Sequence, residues 1–425
     1  MERIAIVEGV RTPFVKVWTL FDDISAQRLG ALCVRQLLEI TNLDSNLVDE
    51  VIFGSVAQPP EAANIGRVIS LLSGIPKQKR AYTVSRNCAS GFESVTSAFE
   101  KITCGLDKIV IAGGTESMSN IPFIFGKEIS KIFVKLGKAR SPFEKLKYLS
   151  RIRPKHLKPI AGLSLGLTDP VCGLNMGQTA EVVAKEFGIP RAEQDEFAMT
   201  SHRRAVAGIE KLREEIVPVI VEPKFKTVVE DDNGPRKNQT LEALAKLRPY
   251  FDRYSGTVTV GNACQVTDGA CALLVMKETT AKELGYEPLG YIRSYNYAGL
   301  DPSRMGLGPA FAIPTALKKA GLTLADIELV EINEAFAAQV LASLRLLESE
   351  KFAQENFSRS QAIGEISLDK LNVNGGAIAL GHPVGTTGSR LILTLLKELK
   401  RRNLKFGLAS LCVGGGQGGA IILER

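Results

Sequence analysis

The chain has 425 residues, of which 45% are hydrophobic and 39 are glycine. This is an ordinary globular composition for two or three domains, or one large double domain, and it excludes a disordered chain. The formal net charge is +7, from 53 Lys and Arg against 46 Asp and Glu, and no apolar run approaches membrane-spanning length.

Cysteine usage and the first residues bear on the compartment. The seven cysteines form no regular framework and no CxxC pair, so neither a zinc site nor a dithiol redox motif is indicated. The chain enters a strand pattern at residues 4–7, without a signal-peptide apolar core or an Arg- and Ser-rich transit segment. We therefore expect reduced thiols, no bound metal and a cytoplasmic location.

Residues 1–120 alternate short apolar runs with longer amphipathic ones. The predicted strands are IAIVEG, VDEVIFGSV, AYTVS and KIVIAGG, and the predicted helices span 26–40, 64–72 and 91–104. Such alternation predicts a parallel sheet covered by helices, and therefore an α/β fold.

Cys88 stands where the strand AYTV gives way to the predicted helix 91–104. A cysteine at a helix N-terminus meets unpaired N–H groups and the positive end of the helix dipole. Both favour the thiolate, which is the nucleophilic form. The alternative is that Cys88 is a small buried hydrophobic residue, as most cysteines are.

Residues 121–248 differ in composition and are predicted to form an inserted loop domain. Between 121 and 158 there are 11 Lys and Arg residues against two Glu, so the excess positive charge of the chain belongs to this segment. In the predicted helix 127–138, apolar residues fall on one face and lysines on the other. This helix could be a solvated surface helix, a docking surface for a membrane or partner subunit, or a basic rim for coenzyme A phosphates.

The remaining residues return to an alternating pattern. Residues 257–260 and 270–276 are predicted to be paired, buried strands, and predicted helices span 310–320, 335–347 and 389–402. The strands LVEINEA and FGLASLC and a terminal hairpin complete this half. Since residues 285–425 repeat the pattern of 1–120, we predict two copies of one α/β unit in a layered αβαβα body. The predicted domains are 1–120 with 249–277, the insertion 121–248, and 285–425.

Three later stretches contain further candidate site residues. Asn333 follows a buried strand, His382 lies in a glycine-dense loop, and Cys412 precedes three glycines. Each has a structural alternative: Asn333 could cap the next helix, His382 could bond to backbone, and Cys412 could belong to the core. GGGQGG matches GxGxxG, but a strand follows it, so it does not indicate a dinucleotide site. The basic segment lacks the aromatic interleaving and the motif of a nucleic-acid module.

Taken together, these stretches resemble the thiolase family over essentially the whole chain. The matching fragments, in family order, are VEGVRTPF, NCASGFESV, AGGTESMS, NMGQTAE, SHRRA, GTVTVGNA with TDGA, NEAFAAQ, GGAIALGHPVGTTGSR and CVGGGQGGA.

The resemblance implies a two-step acyl transfer with coenzyme A as a substrate and no cofactor. Cys88 would attack the keto carbon of a 3-ketoacyl-CoA after His382 takes its proton. Cys412 would protonate the departing acetyl-CoA enolate. His382 and a water held by Asn333 would stabilise the enolate oxygen, and the N–H groups of Cys88 and Gly414 would form a second oxyanion hole.

The resemblance also implies residues that bind coenzyme A, namely Asn175, Met176, Cys264 and Phe336. Two of them depart from the common family pattern. Asn175 stands where many short-chain members have His, and Cys264 occupies a position that is commonly Ser. Thr386 likewise replaces a common Ala in the loop of His382.

Within the family, the chain is most similar to the β subunits of the fatty-acid trifunctional complex, which carry a long insertion like 121–175. This similarity implies β-oxidation of medium and long acyl chains, a homodimer or tetramer, and an α subunit with hydratase and dehydrogenase activities. Asn333 is typical instead of short-chain and biosynthetic members. The alternatives are therefore an acetyl-CoA C-acetyltransferase and an inactive lipid-binding or scaffold protein.

Overall fold

The structure is a computed structural model that describes residues 2–425. The chain divides into two compact units, one formed by Met1–Asn120 with Asp169–Arg425 and the other by Ile121–Thr168. The predicted insertion also begins at 121, but it includes 169–248, which the contacts place in the larger unit; the three-domain division stays a prediction. Within residues 2–425, no helix has both the length and the apolar character to cross a membrane.

The elements follow one another in the order that the sequence pattern indicates. The strands are β1 Ile4–Arg11, β2 Val15–Lys16, β3 Glu50–Gly54, β4 Arg80–Val84, β5 Ile109–Glu116, β6 Phe123–Ile124, β7 Ile160–Ala161, β8 Val219–Ile220, β9 Val228–Val229, β10 Thr267–Lys277, β11 Gly290–Gly299, β12 Leu329–Ile332, β13 Phe406–Val413 and β14 Gln417–Glu424. The helices are α1 Ala26–Thr41, α2 Ile65–Leu72, α3 Ser90–Thr103, α4 Lys127–Lys138, α5 Pro142–Leu149, α6 Gly162–Gly166, α7 Met176–Glu186, α8 Arg191–Ala207, α9 Ile209–Arg213, α10 Leu241–Ala245, α11 Glu278–Glu283, α12 Gly308–Ala320, α13 Ala337–Leu347, α14 Glu350–Phe357, α15 Ala377–Leu380 and α16 Thr387–Arg402.

The two halves of the main sheet have the same arrangement of strands. Its order is β12-β13-β14-β11-β1-β10-β5-β3-β4. In one half β3 and β5 are parallel while β10 runs antiparallel to β5 and β1; in the other, β12 and β13 are parallel while β14 runs antiparallel to β13 and β11. The predicted parallel sheet is therefore wrong in part, because the strands near the junction of the halves are antiparallel. The predicted duplication is visible in this topology.

Three apolar cores separate the layers of the larger unit. Phe92 and Val95 of α3 and Leu391 and Leu395 of α16 share one core with strands of both halves. A second core joins α1 and α2 to the first half, and a third joins α12 and α13 to the second half. The layers are thus helices, sheet, helices, sheet and helices, which agrees with the predicted αβαβα class.

The predicted strand 257–260 is wrong. The N–H groups of Thr257 and Val258 donate to the Glu181 carboxylate at 2.9–3.0 Å, and Thr259 N–H donates to Asn262 Oδ1 at 2.8 Å. These side chains take the donors that a neighbouring strand would otherwise accept, so the segment forms a loop. The predicted strand 270–276 is part of β10 and pairs with β1 and β5 instead.

The unit Ile121–Thr168 contains a short hairpin and small helices. β6 pairs antiparallel with β7, and Ser141 caps α5 by accepting from Glu144 N–H at 3.2 Å. The predicted amphipathic helix is α4, but its apolar face is only partly covered. Ile129 is buried, whereas Phe133 is 50% exposed.

Candidate active site

Cys88 lies in a tight turn between β4 and α3. Asn87 has a φ of 45°, a left-handed conformation that Asn adopts more readily than most residues. The Ser90 hydroxyl accepts from Arg86 N–H at 2.9 Å and donates to the Asn87 carbonyl at 2.7 Å. These contacts fix the turn, and Cys88 precedes the first residue of α3 by two positions, as the sequence predicts.

The surroundings of the Cys88 thiol oppose its ionisation. Burial raises the pKa of the thiol, hydrogen bonds from the N–H groups of Gly414 and Cys88 itself lower it, and the charge of Glu116 raises it. The net direction is upward, so the expected lowering of the thiol pKa is wrong, because burial outweighs the helix N-terminus. The Asn87 amide also donates to the Gly414 carbonyl at 2.7 Å, which holds the loop after β13 beside the turn.

His382 is buried between α15 and α16, and its two ring nitrogens have different neighbours. Nδ1 lies 2.6 Å from the Thr387 hydroxyl, which lies 3.1 Å from the Pro383 carbonyl and donates to it. Because the Thr387 hydroxyl donates its only proton to the Pro383 carbonyl, it accepts a hydrogen bond from His382 Nδ1. Nδ1 therefore carries the hydrogen, and Nε2 presents a lone pair. Burial and the charge of Arg390 lower the pKa of His382 to about 3, so the ring is neutral at pH 7. The ring nitrogens of His382 thus contact other side chains, not the backbone.

Asn333 follows β12 and lies beside His382. Its amide nitrogen is 3.5 Å from His382 Nε2, while its Oδ1 is buried without a hydrogen-bond partner among the described residues. The next helix begins at Ala337 with Phe336 as its N-cap, so Asn333 does not cap it. A buried acceptor without a donor is unfavourable, which makes Asn333 Oδ1 a candidate contact for a bound molecule.

The neighbouring Glu334 fixes the segment that carries Asn333. Its carboxylate accepts from the Ser201 hydroxyl at 2.6 Å, the Asn372 amide at 2.8 Å and the Ile378 N–H at 3.2 Å. These donors come from α8, from the loop after α14 and from α15. Three separate elements therefore hold Asn333 at the end of β12.

Cys412 is buried near the end of β13, in an apolar cluster that includes Phe336 and Met305. Burial raises the pKa of its thiol well above the ordinary value, and negative charge at Cys88 and Cys264 would raise it further. The apolar cluster also contains Ala263, next to Cys264, and the contact between Asn87 and Gly414 brings the turn of Cys88 to the loop after Cys412, so the three cysteines lie in one region. Cys412 is therefore a neutral thiol, which can donate a proton.

The residues predicted to bind coenzyme A lie on α7 and on the segments around 264 and 336. Asn175 caps α7 in a capping box: its side chain accepts from Gln178 N–H, and the Gln178 side chain accepts from Asn175 N–H, both at 3.0 Å. Met176 Sδ would lie 3.3 Å from a Cβ placed on Gly414, so this side chain borders the loop after β13.

A backbone hydrogen bond connects the segment of Cys264 to the segment of Phe336. The Cys264 N–H donates to the Ala335 carbonyl at 2.9 Å, and burial raises the pKa of its thiol to about 12. Phe336 packs edge-to-face on Phe251 with 5.9 Å between ring centroids. These residues adjoin Cys412; their contact with coenzyme A stays a prediction.

Family models match both halves of the chain. The model described as thiolase, N-terminal domain, matches residues 4–279, and the model described as thiolase, C-terminal domain, matches residues 286–425. The chain belongs to the thiolase family. The predicted family and fold class are thereby confirmed.

Similar thiolases cover the full length of this one. A relative from Pseudoalteromonas translucida (strain TAC 125), named 3-ketoacyl-CoA thiolase, is 46% identical over 100% of this chain and 97% of its own. The crystal structure of the Bacillus anthracis acetyl-CoA acetyltransferase has a TM-score of 0.87 and 36% identity, covering 100% of this chain and 99% of that one. Human mitochondrial 3-ketoacyl-CoA thiolase in complex with CoA has a TM-score of 0.85 and 36% identity, covering 100% and 98%. The predicted enzyme class, an acyltransferase, is confirmed.

Several residues around this thiolase site were missed by sequence reasoning. Thr387, Glu334, Asn87 and Glu116 all lie inside fragments that carry the family resemblance. For Thr387, Glu334 and Asn87 the signal was a polar residue one to five positions from a candidate site residue, whereas Glu116 lies 28 positions from Cys88 and had no such signal. Distance along the chain does not say which backbone group or ring nitrogen such a side chain meets, so their roles could not be inferred.

Proposed function

We propose that this thiolase cleaves 3-ketoacyl-CoA with coenzyme A to give acetyl-CoA and an acyl-CoA shortened by two carbons. Two contacts support the proposal: the Asn87 amide, next to Cys88, donates to the Gly414 carbonyl in the loop after Cys412 at 2.7 Å, and the Asn333 amide nitrogen lies 3.5 Å from His382 Nε2. The names of the full-length relatives support the same substrate class.

In the first half-reaction, His382 Nε2 accepts the proton of Cys88, and the sulfur attacks the keto carbon of the substrate. The bond between the second and third carbons then breaks, leaving an acyl group on Cys88 and an acetyl-CoA enolate. Cys412 gives its proton to the enolate carbon. The unpartnered Oδ1 of Asn333 supports a role in holding a water that, together with His382, stabilises the enolate oxygen.

In the second half-reaction, the Cys412 thiolate takes the proton of the coenzyme A thiol, and the sulfur of coenzyme A attacks the acyl group on Cys88. The N–H groups of Cys88 and Gly414 lower the pKa of the Cys88 thiol, which supports their role as donors to the oxyanion of the tetrahedral intermediate. Collapse of that intermediate releases the shortened acyl-CoA, and His382 returns its proton to the Cys88 sulfur. No cofactor is needed for either step.

The raised thiol pKa of Cys88 and the lowered pKa of His382 mean that the resting pair is uncharged. The proton therefore moves as the substrate reacts, not before it binds. A neutral resting pair avoids burying an ion pair whose desolvation would have to be offset by other contacts.

A second candidate is acetyl-CoA C-acetyltransferase activity, the condensation of two acetyl-CoA. The likeness to the Bacillus anthracis acetyl-CoA acetyltransferase and the presence of Asn333 favour it. It uses the same residues, with Cys412 as the base, and differs in acyl chain length and direction.

Thiolysis of 3-ketoacyl-CoAs of graded length distinguishes these candidates, with the Cys88→Ala variant measured beside the wild type. Activity that persists or rises with chain length and vanishes in the variant supports the proposed function. Activity confined to acetoacetyl-CoA supports the acetyltransferase, and a lack of turnover with every substrate supports a binding or scaffold role.

For its setting, we propose fatty-acid β-oxidation in the cytoplasm and a homodimer. All seven cysteines are free, in keeping with a reducing compartment. β4 ends the strand order and is only partly buried, so its free edge is suited to pairing with a second copy. Sedimentation velocity on the purified protein tests the oligomeric state.

The unit Ile121–Thr168 is our proposed contact for an α subunit or a membrane surface. Its large apolar side chains with more than half their surface exposed are Phe123, Val134, Phe143, Leu146, Leu157 and Leu165. Exposed apolar groups among many lysines and arginines are typical of surfaces that bind anionic lipid or acidic proteins. An α subunit of the trifunctional type would supply the substrate by hydration and dehydrogenation.

A further inference from the structure

Glu116, the last residue of β5, is buried beside the site. Its Oε2 accepts from Gly385 N–H at 2.9 Å and from Val56 N–H at 3.0 Å, and its Oε1 accepts from Ala57 N–H at 3.0 Å. The Ser55 hydroxyl lies 3.4 Å from Oε1. Backbone N–H groups, not a Lys or Arg, thus hold this carboxylate. The reaction steps above do not use it.

The donors come from two different parts of the fold. Residues 55–57 follow β3, the parallel neighbour of β5, so this loop and Glu116 meet at one edge of the first half-sheet. Gly385 belongs to the second half and lies three positions after His382. The carboxylate therefore joins the first half-sheet to the loop that carries His382.

The segment around Gly385 also lies against the helix of Cys88. A Cβ on Gly91, in the first turn of α3, would be 3.2 Å from the Gly385 carbonyl oxygen, and a Cβ on Gly114 would be 2.1 Å from the same oxygen. Backbone packed this closely has no room for adjustment. A displacement of Gly385 would therefore change the position of His382 relative to Cys88.

We propose that Glu116 is a positioning residue that holds the His382 loop against the helix carrying Cys88 through the Gly385 N–H. This inference rests on the proposed thiolase function and deepens it. The alternative is that Glu116 affects Cys88 only through its negative charge. This alternative predicts that removing the charge raises activity, whereas the positioning role predicts that it lowers activity. A negative charge near Cys88 disfavours the thiolate, so its removal would make the nucleophile easier to form.

The Glu116→Gln variant separates the two roles. Gln has the shape of Glu, but its single amide oxygen cannot accept all three N–H groups, and its amide nitrogen would face donors. We expect kcat for thiolysis to fall on the order of 10²-fold, with KM for coenzyme A changed by less than about twofold. Alkylation of Cys88 by iodoacetamide, followed against pH, is expected to shift to lower pH because the nearby charge is lost.

Ile111→Ala is the matched control, because Ile111 is fully buried in the same strand and belongs to the apolar core that joins α1 and α2 to the first half. It is expected to lower the melting temperature while kcat of the folded enzyme stays near the wild-type value. A kcat for Glu116→Gln within about threefold of wild type, or a loss no greater than that of Ile111→Ala, would overturn the proposal.

A second variant covers the case in which Glu116→Gln does not fold. A Cβ at Gly385→Ala would lie 2.8 Å from Glu116 Oε2, 2.9 Å from Ser55 Cα and 3.0 Å from the Thr115 carbonyl oxygen, so it moves the Gly385 backbone away from the carboxylate while the charge remains. Loss of kcat supports the proposal, and normal turnover overturns it. Absence of thiolysis in the wild type would instead overturn the proposed function, and the positioning role with it.

Discussion

At the scale of single residues, the hydrogen bond between His382 and Thr387 decides which ring nitrogen acts. The Thr387 hydroxyl accepts from Nδ1 and donates to the Pro383 carbonyl. This arrangement leaves the lone pair on Nε2, 3.5 Å from the Asn333 amide nitrogen, as the acceptor for the proton of Cys88. The histidine could be predicted from its loop, but the tautomer depends on a contact within the first turn of α16.

We predict that Thr387→Val lowers kcat on the order of 10²-fold, because the ring loses the partner that sets its tautomer and orientation. Thr387→Ser keeps the hydroxyl and is expected to retain most of the activity. Steady-state thiolysis with both variants is the measurement. Equal activity of the Val and Ser variants would contradict the assignment.

The lowered pKa of His382 predicts a specific pH dependence. Below pH 6.5 the ring stays neutral in the folded protein but is protonated in the unfolded chain, so the unfolded state binds more protons. The free energy of unfolding that His382 contributes above pH 6.5 is therefore lost as the pH falls toward 3. The loss between pH 6.5 and 5 is about 2 kcal/mol. His202, whose pKa is lowered to about 4 by burial and by Arg236, acts in the same direction.

Chemical denaturation of wild type and His382→Asn at several pH values isolates the His382 contribution. The variant is expected to lose less stability than wild type between pH 6.5 and 5. Identical pH dependence of stability in the two proteins would show that His382 is not held neutral.

At the scale of elements, the helix α7 presents Asn175 in two roles. The capping box is established by its contacts with Gln178, and the contact with coenzyme A is predicted. We expect Asn175→Ala to lose about 1 kcal/mol of stability and Asn175→Ser to keep it, because Ser is also a good N-cap. Both variants should raise KM for coenzyme A, and an unchanged KM in both would leave Asn175 with the capping role alone.

Most elements could be predicted from periodicity, yet their partners could not. The helix α3 shows apolar positions at helical spacing, and its bounds differ from the expected 91–104 by one residue at each end. Residues 257–260 have strand composition, but the buried Glu181 takes their N–H groups. A carboxylate 76 positions away in the chain leaves no local signal in the strand pattern.

At the scale of the whole molecule, duplication explains where the site residues come from. Cys88 precedes α3, which leads into β5, and His382 precedes α16, which leads into β13. β5 and β13 hold equivalent places in the two half-sheets. The repeated strand-and-turn pattern predicted this duplication, whereas the antiparallel strands near the junction depend on pairing between distant parts of the chain.

The surface of Ile121–Thr168 carries a prediction of its own. If its lysines and exposed apolar groups bind an anionic bilayer, the protein should co-sediment with phosphatidylglycerol vesicles, and less so as salt is raised. Lys127, Lys131 and Lys135 changed together to Glu should abolish binding without changing thiolysis. Unchanged co-sedimentation would exclude the membrane role and leave an α subunit as the proposed partner.

The most direct test of the account is the covalent intermediate on Cys88. The enzyme is incubated with a 3-ketoacyl-CoA in the absence of coenzyme A, quenched in acid, digested and analysed by mass spectrometry. The account predicts that the peptide containing Cys88 carries an acyl group two carbons shorter than the substrate, and that coenzyme A removes it. An unmodified Cys88, or an acyl group on Cys412 or Cys264 instead, would contradict the account.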